Sequence, residues 1–133
     1  MSTRVDLRLR PSMEAPSNAR RALDDLSAHL PAEVLDDMRL LVSELVTNSI
    51  RHAGLSDEEW VGLHIEVSGD TVRVEVIDPG PGFRPNVPTP VVYQESGWGL
   101  YLVEQVAHRW GVVDDGTIRV WFEIDGVSAS RSS

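Results

Sequence analysis

Four side chains able to carry charge or hold a hard cation fall at helical intervals along one stretch of the chain. Glu44, Asn48 and His52 are spaced four apart, and Arg51 follows Glu44 by seven. On a helix they share one face, here expected opposite much of the apolar stripe. A carboxylate in such a row can act as a general base. An asparagine offers a neutral, hard oxygen suited to Mg²⁺, although it carries a propensity cost inside a helix. Taken alone, the row also fits a plain solvated face. A second group begins at Asp78, where a carboxylate follows a strand of alternating valines and is itself followed by Gly80 and Gly82. Glycines there let a ligand approach the backbone closely, and the same residues also suit a simple turn. The third is Gly97-Trp98-Gly99-Leu100 at a helix start, where free N–H groups and the helix dipole can receive phosphate. It is neither a Walker A loop, which needs a lysine, nor a dinucleotide fingerprint, which needs a parallel β-α-β unit.

The elements that must position these groups are legible from periodicity. Val5, Leu7 and Leu9 alternate with polar residues and predict a first strand. Ser17 is expected to cap a helix running to about Leu30. Pro31 then opens the longest helix, about 32–53, with Val34, Leu35, Met38, Leu41, Val42, Leu45 and Val46 inward and Gly54 as its stop. From Trp60 the period becomes two. Leu63, Ile65 and Val67, the turn Ser68-Gly69-Asp70, and Val72, Val74 and Val76 predict a hairpin. Residues 83–96 lack a period and read as a functional loop or lid. A helix to about Arg109 and a hairpin ending at Ile124 complete the order. Tight turns between strands imply antiparallel pairing, and the alternation implies one buried sheet face. The expected fold is α+β: a two-layer sandwich, its mixed and mostly antiparallel sheet covered on one face by three helices. Residues 1–125 are read as one domain, with 126–133 as a frayed tail.

Composition narrows the function classes. With 133 residues the chain holds one core. Cysteine is absent, which excludes disulfides and thiolate metal sites. The net charge is −9 and every one of the 12 basic residues is arginine. So acidic a chain is a poor direct binder of nucleic acid and cannot dock on anionic lipid by charge. No apolar run reaches the length of a membrane span, and the first residues lack a signal peptide's apolar stretch. A cytoplasmic location is the expectation. His29, His64 and His108 lack metal-ligand spacing, and Trp110 and Trp121 read as packing residues.

Together the three groups are more specific than any one. Glu44-Leu45-Val46-Thr47-Asn48-Ser49-Ile50-Arg51-His52-Ala53 resembles the N box of the GHKL ATPase/kinase superfamily. Asp78-Pro79-Gly80-Pro81-Gly82-Phe83 is similar to its G1 box, and Ser96-Gly97-Trp98-Gly99-Leu100 to its G2 box. Order and spacing match over about residues 5–125. The small size, Arg109-Trp110-Gly111-Val112 and Val120-Trp121-Phe122-Glu123 resemble the anti-sigma factor serine/threonine kinases of actinobacterial type.

That resemblance implies the Bergerat fold, ATP and Mg²⁺. It implies that Glu44 is the base, that Asn48 holds Mg²⁺, and that Arg51 and His52 lie in the nucleotide site. It implies that Asp78 accepts the adenine amino group and that Gly80, Gly82, Gly97, Gly99 and Leu100 line the nucleotide. The implied partners are a sigma factor and a STAS-type anti-anti-sigma protein whose Ser or Thr is phosphorylated, and a homodimer is a further implication. Two departures stand out. Glu95 occupies the place where some kinase relatives carry a basic residue, and Arg84 is the single cation of the lid. The alternative is a nucleotide-gated regulatory module with little or no phosphoryl transfer.

Overall fold

The computed structural model describes residues 2–53, 60–78, 98–114 and 116–127; of residues 2, 51–53 and 98–101 the backbone alone is described. The elements follow in the order β1 (Ser2–Leu9), α1 (Ala15–Leu23), a 3₁₀ turn (Asp24–Leu26), α2 (Ala32–Ala53), β2 (Val61–Ser68), β3 (Thr71–Asp78), α3 (Trp98–Val106), β4 (Arg109–Asp114) and β5 (Ile118–Asp125). The five described strands form one sheet in the order β1-β2-β3-β5-β4, and all four pairings are antiparallel.

Register explains the core. Val5 pairs Ile65, Ile65 pairs Val74, and Val74 pairs Phe122, so one apolar row crosses four strands. A second row runs Leu7, Leu63, Val76, Val120 and Val112. Alternation sends these side chains to one face, where the helices cover them. Met38, Leu41, Val42, Leu45 and Val46 of α2 are fully buried, as are Leu23, Leu26, Val74 and Phe122. Helix α2 packs against α1, α3, β2 and β3, which makes it the spine of the helical layer. The β2–β3 turn needs Gly69, whose φ of 59° is disfavoured for side chains carrying a Cβ.

Three boundaries differ from the sequence reading. Helix α1 ends at Leu23 rather than near Leu30, and the chain tightens into i→i+3 bonds, Ser27 N–H to Asp24 O and His29 N–H to Leu26 O. Leu23, Leu26 and Leu30 stay buried on either path, so periodicity could not see the change; Asp24 and Asp25 fall in the first turn of the 3₁₀ segment, where acidic groups are favoured. Ser17 does not cap α1. Glu14 holds that position without a side-chain bond, Pro16 sits in the first turn, and the Ser17 hydroxyl accepts from Arg20 at 3.0 Å. Helix α3 stops at Val106, because His108 N–H turns to Glu123 O at 2.9 Å and draws the chain into the sheet. Packing also runs past Asp125: Val127 is fully buried and its N–H reaches Asp70 O at 3.1 Å.

Candidate nucleotide site

The apolar stripe of α2 passes through Leu41, Val42, Leu45 and Val46, and one further turn along the same direction brings Asn48 and Ser49. Residues seven apart on a helix point almost the same way, so Asn48 lies above Leu41 and Ser49 above Val42. Asn48 therefore faces the interior, 5% exposed, rather than the side opposite the stripe as the spacing alone had suggested. Glu44 stands one turn earlier at the rim and is half-buried.

The core helix thus ends its apolar stripe in two polar residues, and both are short of partners. The Asn48 Nδ2 and the Ser49 hydroxyl have no hydrogen-bond partner among the described residues. A buried polar group in that condition costs about 1–3 kcal/mol, and its persistence is what a ligand-binding position requires. Ser49, only 2% exposed, was not singled out in the sequence. A polar residue at a stripe position was the available signal.

Strand β3 makes the matching break on the sheet side. Val72, Val74 and Val76 are buried in alternation, and the next inward position is Asp78 at 3% exposure. A carboxylate there stands where the pattern calls for a fourth apolar residue. Its Cα partner on β5 is Ile118, so the acid lies in the inward layer at the end of the strand. Since α2 packs on β3, the helix and the sheet each bring a buried polar group into the layer between them.

The remaining candidates divide in two. Arg51 and His52 lie in the last turn of α2, and Gly99 and Leu100 in the first turn of α3. Gly80, Gly82 and Gly97, with Arg84 and Glu95, lie outside the described residues. Asn48 suits Mg²⁺ by its chemistry, as a buried amide whose oxygen is a hard, neutral ligand. Among the described residues no three of His, Asp and Glu gather as a metal cluster. Two of the three histidines find other roles: His64 Nδ1 lies 2.6 Å from Asp6, and His108 Nδ1 accepts from Asp125 N–H. No helix among the described residues is long and apolar enough to cross a membrane.

Comparison with known proteins bears on the family and the fold. The model of the histidine kinase-like ATPase domain matches residues 9–122. An uncharacterised protein of Streptomyces coelicolor is 42% identical over 79 residues, which is 59% of this chain and 74% of that protein. The serine-protein kinase RsbW of Staphylococcus epidermidis is 26% identical over 131 residues, covering 87% of this chain and 82% of RsbW. The crystal structure of the RsbU and RsbW domains of Rv1364c from Mycobacterium tuberculosis superposes with a TM-score of 0.72 at 20% identity. The match covers 92% of this chain and 32% of that one, so this chain corresponds to about a third of that larger protein.

Proposed function

Because the chain belongs to the histidine kinase-like ATPase domain family of the GHKL superfamily, whose members bind ATP, we propose that it is an ATP-dependent serine/threonine kinase of anti-sigma type. In this reading it sequesters a sigma factor and phosphorylates a Ser or Thr of a STAS-type antagonist. The observation that carries the reading is Asn48, buried on the core stripe with its amide nitrogen unpartnered and with Glu44 one turn away. Similarity to RsbW supports the kinase branch.

The roles follow from chemistry. Asp78 accepts the adenine amino group, and a guanine, which presents an acceptor at that position, is refused. The Asn48 side-chain oxygen would hold Mg²⁺, which when bound neutralises phosphate charge. Glu44 accepts the proton of the attacking hydroxyl. Arg51 and His52, in the last turn of α2, are the residues that the family resemblance assigns to the nucleotide site, and the start of α3 at Gly99 and Leu100 offers backbone N–H groups. Phosphoryl transfer is mostly positioning and charge neutralisation, so a set this small suffices.

Glu95 favours a second reading. A carboxylate just before Ser96-Gly97 opposes a terminal phosphate, and in a nucleotide-gated module ATP would order a partner surface without transfer. The experiment that separates the two is incubation of the protein and Mg²⁺ with γ-labelled ATP and the STAS proteins encoded in its genome. Label on a Ser or Thr selects the kinase. Binding of Mg·ATP with no labelled STAS protein selects the module.

A further inference from the structure

A serine inside a buried helix needs a partner for its hydroxyl, and the usual remedy is the carbonyl four residues back. Ser43 of α2 takes that remedy: its hydroxyl donates to the Arg39 carbonyl at 2.6 Å and accepts from Arg20 at 2.8 Å. Ser49, on the same helix and only 2% exposed, does not. Its hydroxyl has no hydrogen-bond partner among the described residues, although Leu45 offers the equivalent carbonyl. An alanine would occupy this position with better helix propensity and without a buried hydroxyl. The Ser49 hydroxyl is thus kept, uncommitted, in the layer between α2 and the sheet.

Position around the helix says which end of a ligand this hydroxyl would meet. At about 100° per residue, Asn48 lies about 40° round α2 from Glu44, and Ser49 lies about 140° round in the same direction. Burial deepens in that order: Glu44 is half-buried, Asn48 is 5% exposed and Ser49 is 2% exposed. On the ATP reading, Glu44 and Asn48 serve the phosphate end, through a proton and through Mg²⁺. Ser49 lies beyond Asn48, on the side away from Glu44 and toward the interior. That interior holds Asp78, the buried acid of β3, and α2 packs against that strand.

Adenine presents two neighbouring polar groups on one edge: the amino group, which donates, and the ring nitrogen N1, which only accepts. An ionised carboxylate accepts and cannot donate, so Asp78 answers the amino group and leaves N1 unanswered. A serine hydroxyl supplies the missing donor. We propose that Ser49 is a second base-reading residue, whose hydroxyl donates to N1 of adenine, directly or across one water, beside the amino group that Asp78 accepts from. This rests on the ATP reading and adds to it a specificity-determining residue.

The test is calorimetric. The parent and Ser49→Ala are each titrated with Mg·ATP and with Mg·1-deaza-ATP, in which a C–H group replaces N1. The parent should bind ATP about three- to tenfold more tightly than 1-deaza-ATP, the range of one hydrogen bond. Ser49→Ala should lose about that factor for ATP, lose nothing for 1-deaza-ATP, and so bind the two alike. Without nucleotide it should melt at or above the parent's temperature, since it gives up an unpartnered buried hydroxyl. Equal affinity of the parent for both nucleotides, undiminished ATP affinity in the variant, or equal losses for the two nucleotides would overturn the assignment. So would an empty variant that melts far below the parent or fails to fold, which makes the hydroxyl part of the packing. Each of these leaves the ATP reading standing if the parent binds ATP. A parent that binds neither nucleotide removes the ATP reading itself, and Ser49's role with it, so the parent titration tells the two failures apart.

Discussion

An asparagine amide nitrogen left unpaired in a layer of leucine and valine costs about 1–3 kcal/mol in the empty protein. Asn48→Ala should therefore leave the melting temperature unchanged or raise it, while weakening Mg·ATP binding more than metal-free ATP binding. Melting curves and calorimetry with and without chelator measure both; a large loss of stability would make Asn48 structural. Asp78 differs, since a carboxylate bonded to an adenine amino group is a charged hydrogen bond. Asp78→Asn should cost about 1.5–3 kcal/mol of ATP affinity, and GTP should bind the parent poorly; equal affinities of the two nucleotides by calorimetry would remove the base-selecting role. Residue types and spacing made Glu44, Asn48 and Asp78 legible beforehand. What the sequence did not reveal was orientation. The four-residue spacing of Glu44 and Asn48 fits a solvated face equally well, and only packing shows that Asn48 continues the stripe of Leu41. Ser49 was hidden for the same reason: a serine on a helix draws notice only when its neighbours are seen to be core.

At the scale of elements, the outer sheet face carries an ion-pair ladder that no single strand announces. Arg109 of β4 bonds Glu123 at 2.6 Å and Asp125 at 2.9 Å across to β5, and Arg73 of β3 bonds Glu123 from the other side at 3.0 Å. Arg109, then Thr71, lower the Asp125 carboxyl from 3.8 to about 2, and Arg109, then Arg73, lower Glu123. Groups whose pKa falls on folding contribute stability above their unfolded values and lose it as pH drops. The melting temperature should therefore decline as pH falls from about 4 toward about 2. Arg109→Ala should flatten that decline, and a parallel decline in the variant would deny the ladder its role. Gly111 makes a second element-level case. A Cβ there would lie 2.8 Å from the Trp121 indole nitrogen, and Arg73 stacks on that ring at 4.5 Å. Gly111→Ala should cost about 1–3 kcal/mol in denaturant unfolding, the range for overpacking. Period-two alternation had located the strands, and the tight turns had given the β2–β3 and β4–β5 pairings, while β1–β2 and β3–β5 join strands separated by helices. The ladder needed register, and the end of α1 needed the 3₁₀ turn, which keeps Leu26 and Leu30 inward while changing the path.

For the whole molecule the question is what a helical layer bearing one polar break, on a sheet bearing another, accomplishes as a unit. A fold that leaves polar atoms of Asn48 and Ser49 buried and unpartnered is stabilised by whatever binds them, by about 2.7 kcal/mol at a ligand concentration a hundred times Kd. On the proposed reading, binding and transfer are separable because they would use different atoms: Asn48 and Asp78 lie inside, 5% and 3% exposed, while Glu44 stands half-buried at the rim. Glu44→Gln keeps the size of the side chain and removes its ability to take a proton. If the kinase reading holds, this variant should melt as the parent does and gain the same thermal shift with Mg·ATP. Its transfer of label to a STAS protein should fall by about 10²–10⁴-fold, the usual contribution of a general base. Thermal shift and transfer measured on the same preparation decide it. Loss of both would make Glu44 part of the binding site, and loss of neither would assign the proton to another group.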